Sequence, residues 1–145
     1  MAIMKNKKGL IMGVANERSI AWGIAKKLSE EGAQLAFSCQ NEGFKKRLIP
    51  LMDSINAKKC YECDVSKDKN DKSSIENFMR QINNDWKEID FIVHALAYSD
   101  KEELKGKYVD CSRENFLNSL DISAFSFTRL AKSVFPLMNS KGGNR

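Results

Sequence analysis

The chain is poor in proline and histidine: two prolines, Pro50 and Pro136, and one imidazole, His94, in 145 residues. So little proline leaves regular helices and strands almost uninterrupted. A single histidine excludes zinc sites built from paired Cys and His. Cys60 and Cys63 form a C-x-x-C, readable as a zinc half-site or a redox pair, but no second pair follows, and both fall in a strand-like run where free Cys behaves as a small buried hydrophobe. Cys39 and Cys111 complete an irregular set of four with no secretory signal beside it, so reduced thiols are expected and no metal site. No apolar run approaches the ~20 residues of a membrane span. The start, residues 1–8, has positive charge but no apolar segment behind it. A cytoplasmic protein without membrane contact is expected.

One-sided charge is also lacking. Lys and Arg number 24 against 19 Asp and Glu, a net +5, and the lysines are interleaved with acids along the chain. A solvated face accounts for most of this. Nucleic-acid binding would call for clustered charge and aromatic platforms, which are not there, whereas a mildly basic surface suits an acidic partner such as a carrier protein or a nucleotide. Only residues 5–8 and 66–74 read as loose, and neither is a linker. One domain over residues 1–145 is expected, with 42% hydrophobic residues to build its core.

What is present is an alternation. Residues 9–14 form a short apolar run ending near a glycine, the pattern of a strand buried on both faces. From Ser19, Ile20, Ile24 and Leu28 repeat every four residues beside Ala21 and Ala25, and Gly32 stands where a helix would stop. A second strand over 33–38 precedes an amphipathic helix over 42–54, with Phe44, Leu48, Leu51 and Ile55 on one side and Pro50 bending or splitting it. A third strand over 59–64 is followed by a helix over 73–86 carrying Ile75, Phe78, Met79, Ile82 and Trp86 as one stripe. A fourth strand over 90–97 leads through a polar loop to Ser112, an N-cap for a long helix over 113–138. Its expected buried side is Phe116, Leu120, Phe127, Leu130, Val134 and Met138. Four strand-then-helix units predict an α/β fold, a Rossmann-like doubly wound parallel sheet with helices on both faces.

Such sheets bind ligands beyond the carboxyl ends of their strands. After the first strand comes Gly13-Val14-Ala15-Asn16-Glu17-Arg18-Ser19-Ile20-Ala21, a turn into a helix N-terminus, where free amides and the helix dipole attract a pyrophosphate. The standard Gly-x-Gly-x-x-Gly is absent, so the turn alone leaves a dinucleotide site and a generic strand-to-helix connection both open.

Gly13, five residues, Ser19, one residue, Ala21 resembles the variant fingerprint of the enoyl-acyl-carrier-protein reductases, a divergent branch of the short-chain dehydrogenase/reductases. The resemblance continues through Gln40, Cys63-Asp64-Val65, residues 93–99, 104–110, 112–116 and 121–123, and runs from Lys8 to Met138. It implies an enzyme of fatty-acid biosynthesis that moves hydride from NADH to a trans-2-enoyl thioester borne on acyl carrier protein. It further implies a cofactor held by Gly13, Ser19, Ile20, Gln40, Asp64, Val65 and Leu96. Gln40 would lie near the adenosine ribose, and Asp64 would accept from the adenine amino group. Leu96 and Ser99 would line the nicotinamide and acyl-substrate end, and the complete protein would be a homotetramer. No Arg or Lys adjoins Gln40, which favours NADH over NADPH, although Lys45, Lys46 and Arg47 keep the choice open. Ala95 and Ala97 depart from the serine and glycine that many members carry.

No catalytic residue is assigned. In the family a tyrosine and a lysine, with six residues between them on one helix face after the fifth strand, stabilise the enolate. Tyr98 and Lys105 share that spacing, but Gly106 would end the helix they need. Residues 139–145 resemble the turn before a fifth strand, so the chain is expected to be part of a longer reductase, with the fourth strand an exposed edge prone to aggregation. Two other readings stand beside this one: a non-catalytic dinucleotide-binding module, and another short-chain reductase acting on a carbonyl.

Overall fold

The computed structural model describes residues 2–138. The turn expected over 139–145 lies outside the described residues.

Four parallel strands, β1 (Lys8–Met12), β2 (Gln34–Cys39), β3 (Lys59–Glu62) and β4 (Phe91–His94), form one sheet in the order β3-β2-β1-β4. Every crossover contains a helix: α1 (Ile20–Glu30), α2 (Glu42–Ser54) and α3 (Ile75–Trp86). The doubly wound α/β expectation holds, with β2 as long as its apolar run, β1 and β3 a residue or two shorter, and β4 only half the length of the run over 90–97. β1 lies at the centre, and Leu10, Ile11 and Met12 are fully buried. Alternate residues of the central strands feed two separate cores. Leu10, Met12 and Ala36 face α3, while Ile11, Leu35 and Phe37 face α1 and α2. Gly9 has no room for a side chain, because a Cβ there would sit 2.0 Å from the ring of Phe91, its register partner on β4.

The α3 stripe is as expected: Ile75, Phe78, Met79, Ile82 and Trp86 are all buried, and the Ser74 side chain caps the helix by accepting from the Asn77 amide. α1 differs from its sequence reading. Ile20 and Ile24 are exposed, and the helix rests instead on Ala21, Trp22 and Ala25. Two alanines four apart let the helix lie close to the sheet, and Trp22 supplies the area that the isoleucines would have given. Pro50 does not split α2, which runs unbroken through it with Leu48 and Met52 inward.

The long helix is the largest departure. It divides into α4 (Arg113–Leu120), a π-helical turn (Asp121–Phe125) and α5 (Ser126–Val134), followed by a 3-10 turn through Pro136. A π turn adds a residue and rotates the faces on either side of it. Leu130 and Val134 are buried as expected, but Phe116, Leu120 and Phe127 are exposed, and the inward positions are taken by Asn115 and Ser126. β4 is an outer strand pairing only with β1 among the described residues, and its four residues are half-buried. The chain returns beside its entry, where the Ile89 amide donates to the Leu137 carbonyl at 2.9 Å.

Candidate functional site

The four strand ends open into one cleft of about 510 Å³. Five of the expected residues border it, one or more from each strand end: Gly13, Gln40, Asp64, Val65 and Leu96. Ser19, Ile20 and Ser99 do not line it.

Gly13 has φ +102°, and a Cβ there would lie 2.0 Å from the Ala95 carbonyl oxygen. Only glycine combines that backbone angle with so close an approach to the chain leaving β4. Ser19 holds the turn together. Its hydroxyl accepts from the amides of Ala15 at 3.0 Å and Asn16 at 3.1 Å, while the Asn16 side chain accepts from the Arg18 amide at 2.9 Å. Two turn amides are therefore already satisfied within the chain. The unspent donors are the first amides of α1, at Ile20 and Ala21, which have no preceding helical turn to bond. At Ile20 it is the backbone that offers a donor, its side chain being apolar and exposed.

Gln40 and Asp64 meet across the cleft, the Gln40 amide donating to the Asp64 carboxylate at 3.3 Å. The other Asp64 oxygen accepts from the Ser66 amide at 3.0 Å and the Ser66 hydroxyl at 2.7 Å. Partial burial pushes the Asp64 carboxyl up, but the Ser66 and Gln40 hydrogen bonds and the Lys67 charge outweigh it, and the group is held below its ordinary value. Asp64 is both a turn cap and an ionised acceptor facing the cleft. Of the basic residues near Gln40, Lys45 faces Glu42 at 3.9 Å and Arg47 stacks on Phe44 at 5.0 Å.

Several residues that shape the cleft were not singled out from sequence. Arg129, on α5, donates to the carbonyls of Val65 and Lys67 at 2.9 Å each, with Glu76 behind it at 3.6 Å. One guanidinium so fixes the turn that follows Asp64. On the opposite wall, the segment after β4 is fastened to the long helix at three points. His94 Nε2 lies 2.8 Å from the Ser126 hydroxyl, whose own proton goes to the Ile122 carbonyl at 2.7 Å. Burial holds the His94 imidazole below its ordinary value, so it stays neutral. The Ser123 hydroxyl accepts from the Tyr98 amide at 2.9 Å. The Asn115 side chain accepts from the Asp100 amide at 2.8 Å and donates to Ser99 Oγ at 3.0 Å. Ser99 is thus tied to the helix, away from the cleft. The available signal was polar residues, Asn115 and Ser126, on the inward side of an otherwise apolar helix.

Tyr98 and Lys105 do not share a helix face: Tyr98 lies in irregular chain, and Lys105, after a single 3-10 turn, pairs with Glu102 at 2.6 Å. Cys60 and Cys63 belong to opposite cores and form no joint site. Among the described residues no cluster of three or more His, Cys, Asp or Glu could hold a metal ion, and no helix is long and apolar enough to cross a membrane.

The enoyl-(acyl carrier protein) reductase family profile matches residues 13–144. Enoyl-[acyl-carrier-protein] reductase [NADH] 1 of Rhizobium meliloti is 46% identical over 140 residues, 97% of this chain and 50% of that protein. The chain spans about half the length of the curated relatives it matches. The crystal structure of the Anaplasma phagocytophilum enoyl-(acyl-carrier-protein) reductase in complex with NAD superposes with a TM-score of 0.88 at 48% identity, covering 96% of this chain and 52% of that one. The Bacillus cereus enzyme, solved with NADP+ and an indole naphthyridinone, gives 0.88 at 34% identity, covering 95% and 53%. With the parallel sheet, the glycine turn and the cleft at the strand ends, the match over nearly its whole length makes this chain a member of the enoyl-(acyl carrier protein) reductase family.

Proposed function

We propose that this chain is the cofactor-holding half of an NADH-dependent enoyl-acyl-carrier-protein reductase of fatty-acid biosynthesis. The observation that carries the reading is the convergence of Gly13, Gln40, Asp64, Val65 and Leu96, from four separate strand ends, on one cleft. The site fits a dinucleotide. A Cβ at Gly13 would fill the crossing point, and the Ile20 and Ala21 amides stand ready for a pyrophosphate at the start of α1. Ser19 keeps that turn in shape. Gln40 and the ionised Asp64 face the adenosine end, as hydrogen-bond partners for a ribose hydroxyl and an adenine amino group, with Val65 packing against the base. Leu96 and the tethered segment carrying Ser99 form the nicotinamide and acyl end.

When bound, NADH supplies the hydride for the β-carbon of a trans-2-enoyl thioester. The residues of this chain bind and orient, and the Asn115, Ser123 and Ser126 tethers hold the acyl-end wall in place. No residue of the chain is assigned a catalytic role. The substrate is an enoyl group on acyl carrier protein, to which a mildly basic surface is suited, and the setting is cytoplasmic. The exposed apolar residues of the last helix, Leu117, Leu120, Phe125 and Phe127, are a face for a second copy in a homotetramer. NADH is preferred because no Arg or Lys adjoins Gln40 in the sequence, and of the nearby basic residues Lys45 pairs with Glu42 and Arg47 stacks on Phe44.

Titrating the chain with each nucleotide, following nicotinamide fluorescence, tests the reading. Saturable NADH binding at least about tenfold tighter than NADPH is expected. No binding of either contradicts the function, and equal binding contradicts the cofactor preference.

A further inference from the structure

Two thiols touch at the adenosine end of the cleft. Cys39, the last residue of β2, lines the cleft beside Gln40, and its sulfur lies 3.6 Å from that of Cys60 on β3. The Cys60 thiol donates to Cys39, and the Cys39 thiol donates to the Tyr61 carbonyl at 3.6 Å. Cys63 is not a rival partner, since it packs in the other core, and burial pushes its thiol up to about 12. Cys39 moves the other way: the Cys60 hydrogen bond, with help from the Lys45 charge, holds it below the ordinary thiol range despite its burial.

We propose that Cys39 and Cys60 are a peroxide-oxidisable pair whose closure to a disulfide shuts the adenosine end of the cleft. The switch rests on the dinucleotide reading above; the pairing of the two thiols does not. In the first step the Cys39 thiolate attacks one oxygen of hydrogen peroxide, the O–O bond breaks, and Cys39 becomes a sulfenic acid while the released hydroxide takes up a proton. The Cys60 sulfur then attacks the Cys39 sulfur, the S–O bond breaks, and the hydroxyl leaves as water with the Cys60 proton. Two thiols are oxidised by two electrons in total, and one peroxide is reduced to two waters. Cys60 holds its proton tightly chiefly because of its hydrogen bond to Cys39. An uncharged sulfenic acid in place of the thiolate weakens that hold at the moment Cys60 must react.

Closure brings the sulfurs from 3.6 Å to about 2.05 Å. The pair is diagonal, because Cys60 lies opposite Phe37 and Cys39 opposite Glu62. Bridging therefore pulls β3 along β2. β3 is an outer strand of four residues, hydrogen-bonded on the β2 side alone among the described residues, and so is the member of the β2–β3 pair better able to shift. Its movement carries Asp64, two residues past its end, relative to Gln40, which is fixed to Cys39. Both adenosine contacts are displaced together.

The test treats the reduced full chain with hydrogen peroxide, alkylates the remaining thiols, maps peptides by mass spectrometry, and measures NADH and 5′-AMP binding before and after. A Cys39–Cys60 linked peptide is expected, with both affinities falling at least about tenfold and recovering on reduction with dithiothreitol. Saturating NADH should slow the reaction by covering Cys39. In Cys60→Ser the bridge is lost and dimedone traps a sulfenic acid at Cys39. Both cysteines remaining alkylatable, or a bridge to Cys111 or between chains, overturns the pairing. A Cys39–Cys60 bridge with unchanged affinities overturns the switch. Should the reduced chain bind no nucleotide, the dinucleotide reading and the switch fail together, while the peptide map still decides the pairing.

Discussion

α3 and the final helix are written in the same amphipathic pattern and have opposite fates. α3 places Ile75, Phe78, Met79, Ile82 and Trp86 in a row and buries all five. The segment from Arg113 to Val134 is also rich in large apolar residues, yet leaves Phe116, Leu117, Leu120, Phe125 and Phe127 exposed and turns Asn115 and Ser126 inward. β1 and β4 repeat the contrast, one central and buried, the other outer and half-buried. An apolar stripe states which face avoids water, and the fold decides whether this chain supplies the cover. In the last helix the inward face combines the buried Leu130 and Val134 with Asn115 and Ser126, which hold the cleft wall, and the π turn lies between the two tethers.

That contrast is broken most sharply by a pair of truncations. Phe78→Ala is expected to lower stability by about 3–5 kcal/mol in denaturant unfolding, whereas Phe127→Ala should change it by less than about 1 kcal/mol and instead reduce self-association in sedimentation. Equal losses in both would mean that the last helix is as well covered as α3. Gly13→Ala comes next. With φ +102° and the Ala95 carbonyl 2.0 Å from the new Cβ, a loss of about 2–3 kcal/mol and of NADH binding is expected.

Arg129→Ala sharpens the comparison from inside α5. Releasing the Val65 and Lys67 carbonyls should lower stability by about 1–2 kcal/mol, and hydrogen exchange should rise around residues 64–67 and not at the Ser123 and Asn115 tethers. The smallest effect is a pH dependence. His94 is held neutral by burial, its folded pKa below the ordinary 6.5, so the unfolded chain takes up the proton first. Stability from this group is full above about pH 6.5 and falls as pH drops below it. His94→Gln, which keeps a hydrogen-bonding side chain for Ser126 without a titrating ring, should flatten that part of a melting-temperature profile against pH.

The strands and the α3 stripe were legible in the sequence because each is a local signal, an apolar run or a period of 3.6, whereas the five cleft residues were named by the family resemblance and lie just past the strand ends, where such sheets bind ligands. α1 was legible as a helix but not in its facing, since small residues that permit close approach are easily outweighed on paper by two isoleucines. The Arg129 clamp joins residues 62 and 64 positions apart, and the His94–Ser126 tether spans 32, so no sequence window contains either. The π turn was hidden for a related reason. It lies between the Asn115 and Ser126 tethers, whose partners are distant in sequence.

The most direct test of the central claim is a titration of the isotope-labelled chain with NADH, followed by backbone amide NMR. The account predicts saturable shifts concentrated at Gly13, Ile20, Ala21, Gln40, Asp64, Val65 and Leu96, with Asp64→Ala weakening binding about tenfold. Shifts confined to another surface, or an unperturbed spectrum at saturating NADH, would contradict it.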